Sequence, residues 1–286
     1  MLDAVVPVTA KDQERFEILY ASLRRYFPDL GTCWIVTPAR ECADFRRYEA
    51  DHFRVIAETA VIPELRLYYL LCRMRGRKPY GWMLQQLVKF AIVDWVRTPC
   101  YLTLDADVIC KRAVRYTDLV KDGRAVSHRH RHDVHAQWYE CAERVLGLRR
   151  SGWTHGVTPT LFCVEAMRRL HRHLANRGRL GGWRAYLLRD LNWTEVSLYY
   201  TFLEATGLYD RYHVDVPSGY LYDGVWEKDQ FAGWEPGGSP AFFSVVQSHT
   251  GISPETIWQK LFPNEPFPRG QAGRGLTRVQ EGRLTR

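Results

Sequence analysis

The 286-residue sequence has no long apolar run and an odd number of cysteines. Its longest apolar stretches, such as residues 67–72 and 90–93, are far shorter than the roughly 18 residues of a membrane-spanning helix. Residues 1–8 lack a basic leader followed by a long apolar core, which argues against a cleaved signal peptide. The seven cysteines are scattered and contain no C-x-x-C pair, as is typical of reduced thiols. We therefore expect a cytoplasmic protein.

Recognisable nucleic-acid-binding modules are also lacking, although the chain is basic. The formal net charge is +8, from 40 Lys and Arg against 32 Asp and Glu. This excess favours anionic partners such as phosphates, acidic glycans or lipid headgroups. Because no zinc-finger spacing and no RNP-like aromatic strand occurs, we expect no nucleic-acid partner. Peripheral association with the inner face of the membrane, through the basic surface or the tail, is a further expectation.

Strand and helix patterns alternate along the first hundred residues. Strands are expected at residues 4–9, 33–37 and 52–57, and helices at 12–27, 41–50, 63–77 and 83–96. Asp12 is the expected N-cap of the first helix. This alternation predicts an α/β fold with a mostly parallel sheet flanked by helices. Ligands bind such sheets at the carboxyl ends of the strands, where Thr9, Thr37 and Asp107 should meet.

The second half of the chain is less regular. Helices are expected at 138–146 and 165–176, from 192 and from 253, and strands within 154–162 and at 242–246. From residue 264 onward the chain has five Arg against two Glu, with interleaved Gly and few apolar residues. This composition predicts a basic, disordered tail at 264–286 after a single large domain at 1–263.

Residues 99–110 (PCYLTLDADVIC) carry the strongest chemical signal. Their aromatic, β-branched and leucine residues predict a buried strand, which Asp105 and Asp107 interrupt. In an extended chain, side chains two residues apart point the same way, about 7 Å from each other. Two ionised carboxylates so close need a cation, a proton or water between them, so the pair predicts a divalent metal with oxygen ligands, Mn²⁺ or Mg²⁺. The alternative is two solvated aspartates in a turn after the strand.

The order of these features resembles the GT-A class of nucleotide-sugar glycosyltransferases. More narrowly, residues 80–89 (YGWMLQQLVK), just before 104–107 (LDAD), are similar to a bacterial family of glycosyltransferases known by a domain-of-unknown-function label. The resemblance covers about residues 1–262. It implies a Rossmann-like GT-A fold with a nucleotide-sugar-binding half at 1–110 and an irregular acceptor-side half at 111–263.

The same resemblance implies an activity. A hexosyltransferase of this kind moves a sugar from a nucleotide-diphosphate sugar, with a UDP-sugar favoured, to a hydroxyl of a glycan or glycolipid acceptor in polysaccharide biosynthesis. The leaving diphosphate gains negative charge, and a cation held by carboxylates would stabilise it. Asp105 would face the ribose and the metal, Asp107 would bind the metal, and His249 would supply a further metal ligand. For His249, a surface or capping role is the alternative.

Further residues are expected to contact the donor, by the same resemblance. The base pocket would be lined by Pro7, Val8 and Thr9, and the donor sugar or phosphate would be contacted by Gln85, Gln86 and Lys89. The alternative for the strand residues is plain core and turn. For the three helix residues it is a solvated helix face.

Glu195 is the predicted general base, which would deprotonate the acceptor hydroxyl in an inverting displacement. The competing interpretation is a capping box, in which Asn192 and Glu195 satisfy the start of a helix. Inversion depends on Glu195 alone, so retention stays open.

Histidine and arginine alternate over positions 128–132 of the segment at residues 128–135 (HRHRHDVH). On a strand, His128, His130 and His132 would share one face and could bind zinc. In a loop, these histidines and Arg129 and Arg131 form a basic, phosphate-seeking patch. We favour the loop, at the acceptor site.

Other functional classes compete with the transferase. A haloacid-dehalogenase-type phosphatase also carries Asp-x-Asp after an apolar strand, with the first Asp as nucleophile, but usually on its first strand. A sugar nucleotidyltransferase needs a Gly-rich loop after the first strand, and residues 10–14 contain no glycine. The alternative that involves no enzyme is a nucleotide- or glycan-binding module that has lost catalysis.

Overall fold

The structure is a computed structural model that describes residues 1–76, 78–79, 81–131, 135–178, 182–188 and 192–268. Most of the predicted disordered tail, at 269–286, lies outside the described residues. None of the helices in the described part of the chain has the length and apolarity needed to cross a bilayer.

Thirteen strands are found in the described residues, and most are short. They are β1 Leu2–Pro7, β2 Leu30–Thr37, β3 Phe53–Ala57, β4 Cys100–Thr103, β5 Val108–Cys110, β6 Val120–Lys121, β7 Arg124–Ser127, β8 Arg129–His130, β9 Thr154–His155, β10 Thr160–Cys163, β11 His213–Asp215, β12 Tyr222–Val225 and β13 Phe243–Val246.

A five-stranded sheet forms the centre of the protein, in the order β10-β4-β1-β2-β3. The strands β4, β1, β2 and β3 are parallel, and β10 is antiparallel to β4. Every residue of β1 and β4 is buried, as expected for the inner strands of a parallel sheet covered on both faces. The predicted mostly parallel sheet is therefore confirmed.

Three smaller sheets complete the strand pairing. They have the orders β12-β13-β5, β11-β7-β6 and β8-β9. Strand β5 follows the Asp-x-Asp segment in the chain, and β13 pairs antiparallel with it. A strand from late in the chain therefore lies beside this segment.

Thirteen α-helices are found in the same residues, and they cover the sheets. They are α1 Gln13–Tyr26, α2 Cys42–Phe45, α3 Glu58–Val61, α4 Leu65–Met74, α5 Gly81–Ala91, α6 Tyr116–Leu119, α7 Ala136–Leu146, α8 Val164–Gly178, α9 Gly182–Leu187, α10 Glu195–Ala205, α11 Tyr209–Tyr212, α12 Gln230–Gly233 and α13 Pro254–Leu261.

The helix starts follow local capping chemistry, with one change from the sequence expectation. Ser253 caps α13 by accepting a hydrogen bond from the Thr256 N–H, as the Ser-Pro pair predicts. Asp12 occupies the N-cap position of α1, but its side chain does not cap the helix. It accepts a hydrogen bond from the Thr9 hydroxyl instead, at 3.3 Å.

Residues 99–110 do not form the single strand that their composition predicts. They form β4 and β5, which belong to different sheets, with a turn at 104–107 between them. Leu104 still donates its N–H to Val5 O at 3.0 Å, and the chain then turns, with Val108 N–H donating to Asp105 O at 3.1 Å. Both apolar segments are buried, so composition alone does not reveal the turn between them.

The hydrophobic core extends across both predicted halves of the chain. The larger buried cluster includes Leu102 and Phe90 from the first half and Phe162 and Leu198 from the second. A smaller cluster packs one face of α1 against β13 and α13. Both halves therefore contribute to one main core.

Candidate active site

The candidate site lies at the carboxyl edge of the central sheet, where β1, β2 and β4 end. Val5 is paired with Thr103, and Asp105 follows two residues later, beside the end of β1. Val8 continues along β2 by donating its N–H to Val36 O at 2.9 Å. Thr9 follows, half-buried, at the same edge. This edge is where open α/β sheets bind ligands.

Lys89 lies completely buried beneath Asp105, where it joins two carboxylates. Its Nζ is 2.8 Å from Asp105 Oδ1 and 2.8 Å from Glu195 Oε1. Helix α5 supplies the lysine, and the first residue of α10 supplies the glutamate. Burial lowers the pKa of Lys89, but the two carboxylates more than offset this and raise it above its ordinary value. Lys89 therefore acts as a charged link between Asp105 and Glu195 and does not lie on a solvated helix face.

Gln86 lies one turn before Lys89 and is also buried. With its carboxamide oriented to satisfy the local hydrogen bonds, its nitrogen donates to the Glu195 carboxylate. Gln85 is half-buried on the neighbouring position of α5. Of the three helix residues expected to contact the donor, two therefore contact Glu195.

The second oxygen of Asp105 is held by Thr158, a residue that no sequence pattern identified. The Thr158 hydroxyl donates to Asp105 Oδ2 from the loop that precedes β10. Both carboxylate oxygens thus accept a hydrogen bond from a buried donor. Asp105 nevertheless keeps 35% of its side-chain surface exposed, so the carboxylate is fixed in orientation and open to a ligand.

Asp107 lies in the turn and is fixed by the chain that follows β13. Its backbone O accepts from Val246 N–H at 3.0 Å, and its Oδ2 accepts from Ser248 N–H at 3.3 Å. Arg15, on α1, donates to Val246 O at 3.0 Å and lies near enough to act electrostatically on Asp107. Burial and the charge of Asp105 raise the pKa of Asp107 to about 7, against the opposing effect of Arg15. The two carboxylates therefore repel each other in a partly desolvated site.

This donor set suits a hard divalent cation. Mg²⁺ and Mn²⁺ sites commonly use one or two carboxylates, with phosphate oxygens and water completing the coordination. In the described part of the chain, no group of three or more His, Cys, Asp and Glu side chains is arranged to hold a metal ion. His249 thus does not complete a three-ligand set with Asp105 and Asp107, and it lies exposed on a short 3-10 turn at Ser248–Thr250.

The start of α10 excludes the predicted capping box between Asn192 and Glu195. Thr194 is the N-cap: its hydroxyl accepts from Ser197 N–H at 2.9 Å, and Ser197 Oγ accepts from Thr194 N–H at 3.0 Å. The capping-box interpretation of Glu195 was wrong, because the N-cap is Thr194 and not Asn192. Burial raises the pKa of Glu195, although the Lys89 ammonium opposes the rise.

The position of Glu195 bears on its predicted role as a base. A general base must reach the proton that it removes, whereas Glu195 is only 3% exposed and is paired with Lys89. The geometry favours a positioning role, in which Glu195 holds Lys89 against Asp105.

The histidine segment is more ordered than the predicted loop. Arg129–His130 form β8, which pairs with β9, so the loop prediction is wrong for these residues. Arg129 lies 3.5 Å from Glu204 Oε1 and 3.6 Å from Asp215 Oδ2, and it stacks over Trp153. It is therefore bound within the protein and is not a free phosphate ligand.

The histidines of this segment contact protein atoms where the structure describes them. His130 Nδ1 lies 2.8 Å from Thr154 Oγ1, and His128 Nδ1 lies 3.0 Å from Val216 O. His132 lies outside the described residues. The acceptor-site role of this segment stays a prediction.

The fold is mixed α/β, with a mainly parallel central sheet flanked by helices, and is similar to a GT-A glycosyltransferase structure. A crystal structure of mouse xyloside xylosyltransferase 1, in its apo form, matches with a TM-score of 0.50 and 13% sequence identity, over 88% of this chain and 99% of that chain. This likeness confirms the predicted fold class. The chain belongs to DUF6492, a family of unknown function, whose model matches residues 1–269. No curated protein matches the sequence.

Proposed function

We propose that this protein is a metal-dependent glycosyltransferase that moves a sugar from a nucleotide-diphosphate sugar to a hydroxyl of a glycan or glycolipid. A UDP-sugar is the favoured donor. The observation that carries the proposal is the oriented, half-exposed Asp105 at the carboxyl edge of β4, with Asp107 beside it. The similarity of the fold to that of a xylosyltransferase supports it.

Each residue of the site has a role in this proposal. Asp105 and Asp107 would hold Mn²⁺ or Mg²⁺, which when bound offsets the charge of the diphosphate. Lys89 and Thr158 fix the Asp105 carboxylate, so that no reorientation is needed when a ligand binds. Pro7, Val8 and Thr9 would line the base pocket, because they lie at the carboxyl end of β1, beside Asp105.

The stereochemical outcome follows from which group removes the acceptor proton. An inverting displacement needs a base on the acceptor side. Because Glu195 is buried against Lys89, we assign it to positioning Asp105. The proposal therefore includes no assigned base, and inversion and retention are both compatible with it.

Binding of nucleoside diphosphates with and without Mn²⁺ tests the proposal, by calorimetry on the wild type and on Asp107→Asn. We expect UDP to bind the wild type more tightly with Mn²⁺. We expect Asp107→Asn to weaken the Mn²⁺-dependent binding by about tenfold or more, since even outer-shell changes at metal sites cost 10–100-fold. The amide can still accept from Ser248 N–H, so the melting temperature should stay close to that of the wild type.

Asp51→Asn is the matched control, because Asp51 is an exposed carboxylate that precedes β3, at the opposite, amino edge of the parallel strands. It should leave both measurements unchanged. Failure of UDP, GDP and CDP to bind under any condition would remove the proposal. Metal-dependent binding with no transfer or hydrolysis of any nucleotide-sugar would instead support a binding module without catalysis.

A further inference from the structure

Helix α4 presents an apolar stripe to solvent. Leu67, Leu70, Leu71 and Met74 are 60%, 52%, 39% and 74% exposed. Their spacing of i, i+3, i+4 and i+7 places them along one face of the helix. The remaining large hydrophobic residues exposed in the described chain, Met1, Trp95 and Trp226, lie in other elements. The α4 stripe, as we call these four residues, is therefore a contiguous patch.

The opposite face of α4 attaches the helix to the protein. Leu65 is completely buried, and Tyr68, Tyr69 and Cys72 are half-buried. The Tyr69 hydroxyl donates to Glu58 Oε1 at 2.6 Å. The helix is thus held with its stripe pointing outward, and the exposure of the stripe is not a consequence of a detached segment.

Basic residues border the α4 stripe. At 100° per residue, Arg66 and Arg73 fall on one side of it and Arg75 on the other, and all three are exposed, as is Lys78. Residues 65–79 contain no acidic residue. An apolar face bordered by cations is the pattern of helices that lie in the interface of a lipid bilayer.

We propose that α4 docks the protein on an anionic lipid surface. The α4 stripe enters the boundary between headgroups and acyl chains, and the bordering Arg and Lys side chains contact lipid phosphates. The helix has ten residues, about 15 Å in length, so it lies in the interface and does not cross it. This inference is independent of the glycosyl transfer proposed above.

Charge favours lipid over a second copy of this chain as the occupant. In a symmetric dimer through α4, the arginines that border one stripe would approach those of the other, and like charges brought together at an interface oppose association. An anionic bilayer supplies both the apolar phase and the opposite charge. The net charge of +8 adds to the attraction at long range.

Vesicle flotation with the full chain tests the proposal. We expect binding to vesicles of phosphatidylcholine and phosphatidylglycerol, and little binding to phosphatidylcholine alone. The variant Leu70→Gln with Met74→Gln should lower the binding constant by about tenfold or more, because two exposed side chains lose their burial in lipid. This variant keeps residues 269–286 unchanged, so a loss of binding assigns the docking to α4 and not to the basic tail.

Two arginine variants separate the charge of α4 from the charge of the whole protein. Arg73→Gln with Arg75→Gln should weaken binding to the anionic vesicles, and Arg168→Gln with Arg172→Gln, exposed on α8, should not. Both pairs remove two positive charges. Equal binding by the Leu70/Met74 variant and the wild type would overturn the proposal, as would absence of wild-type binding to anionic vesicles. A dimer in sedimentation velocity that this variant abolishes would identify self-association instead.

Discussion

A fully buried lysine keeps its charge where carboxylates pair with it, and removing one partner of such a pair leaves an uncompensated charge. Lys89 meets this condition through Asp105 and Glu195. We expect Lys89→Met to lower the free energy of unfolding by about 3–5 kcal/mol, because Glu195 then stays buried without its cation. Adding Glu195→Gln should recover part of this loss, since the buried charge is then gone. Urea denaturation of both single variants and the double variant gives the coupling energy.

The exposed pair of Arg169 and Glu165 provides a control for that cycle. Their side chains are 2.8 Å apart on α8, and both are substantially exposed. The same cycle with Arg169→Met and Glu165→Gln should give a coupling of about 1 kcal/mol or less. If the Lys89 cycle gave additive effects, the buried pair would have no special energetic role.

For single residues, the sequence indicated which side chains could carry chemistry but not which other side chains they contact. Asp105, Asp107 and Glu195 were candidates from motif and position, and Lys89 was a candidate through the family resemblance. Lys89 and Glu195 are separated by 106 positions, and no local pattern signals a contact over such a distance. Thr158 resembles many other threonines in loops, so its bond to Asp105 follows only from the fold.

The helices and strands show where local patterns were sufficient. Alternating patterns located β1, β2 and β3 and the helices between them, because buried parallel strands and amphipathic helices have distinct periodicities. The turn between β4 and β5 was missed, since its flanking residues are equally apolar. Its effect is large, because it places β5 in another sheet and brings β13 to Asp107.

The cap of α10 allows the competing interpretations of its first turn to be tested. Thr194 and Ser197 exchange two hydrogen bonds there. We expect Thr194→Ala to lower the free energy of unfolding by about 1 kcal/mol, as is typical of a lost N-cap. Asn192 is exposed, so Asn192→Ala should change the free energy of unfolding by no more than about 0.5 kcal/mol. If urea denaturation showed a larger loss of stability for Asn192→Ala than for Thr194→Ala, the capping box that includes Asn192 and Glu195 would be supported instead.

For the whole molecule, the two predicted halves share their core. Strand β10 from the second half pairs with β4 from the first. Phe162 on β10 lies between aromatic rings of both halves: its ring centroid is 5.7 Å from that of Tyr101 and 4.6 Å from that of Tyr199. The sequence predicted a single domain but could not show this pairing, which joins residues about 60 positions apart.

A shared core of this kind predicts one cooperative unfolding transition. Far-UV and near-UV circular dichroism should give the same midpoint in urea. Phe162→Ala should lower both midpoints together, with a loss of about 3–5 kcal/mol, because the cavity forms between the halves and not within one of them. Two separate transitions, or a Phe162→Ala effect on only one of the two signals, would show that residues 1–110 and 111–263 unfold as separate units.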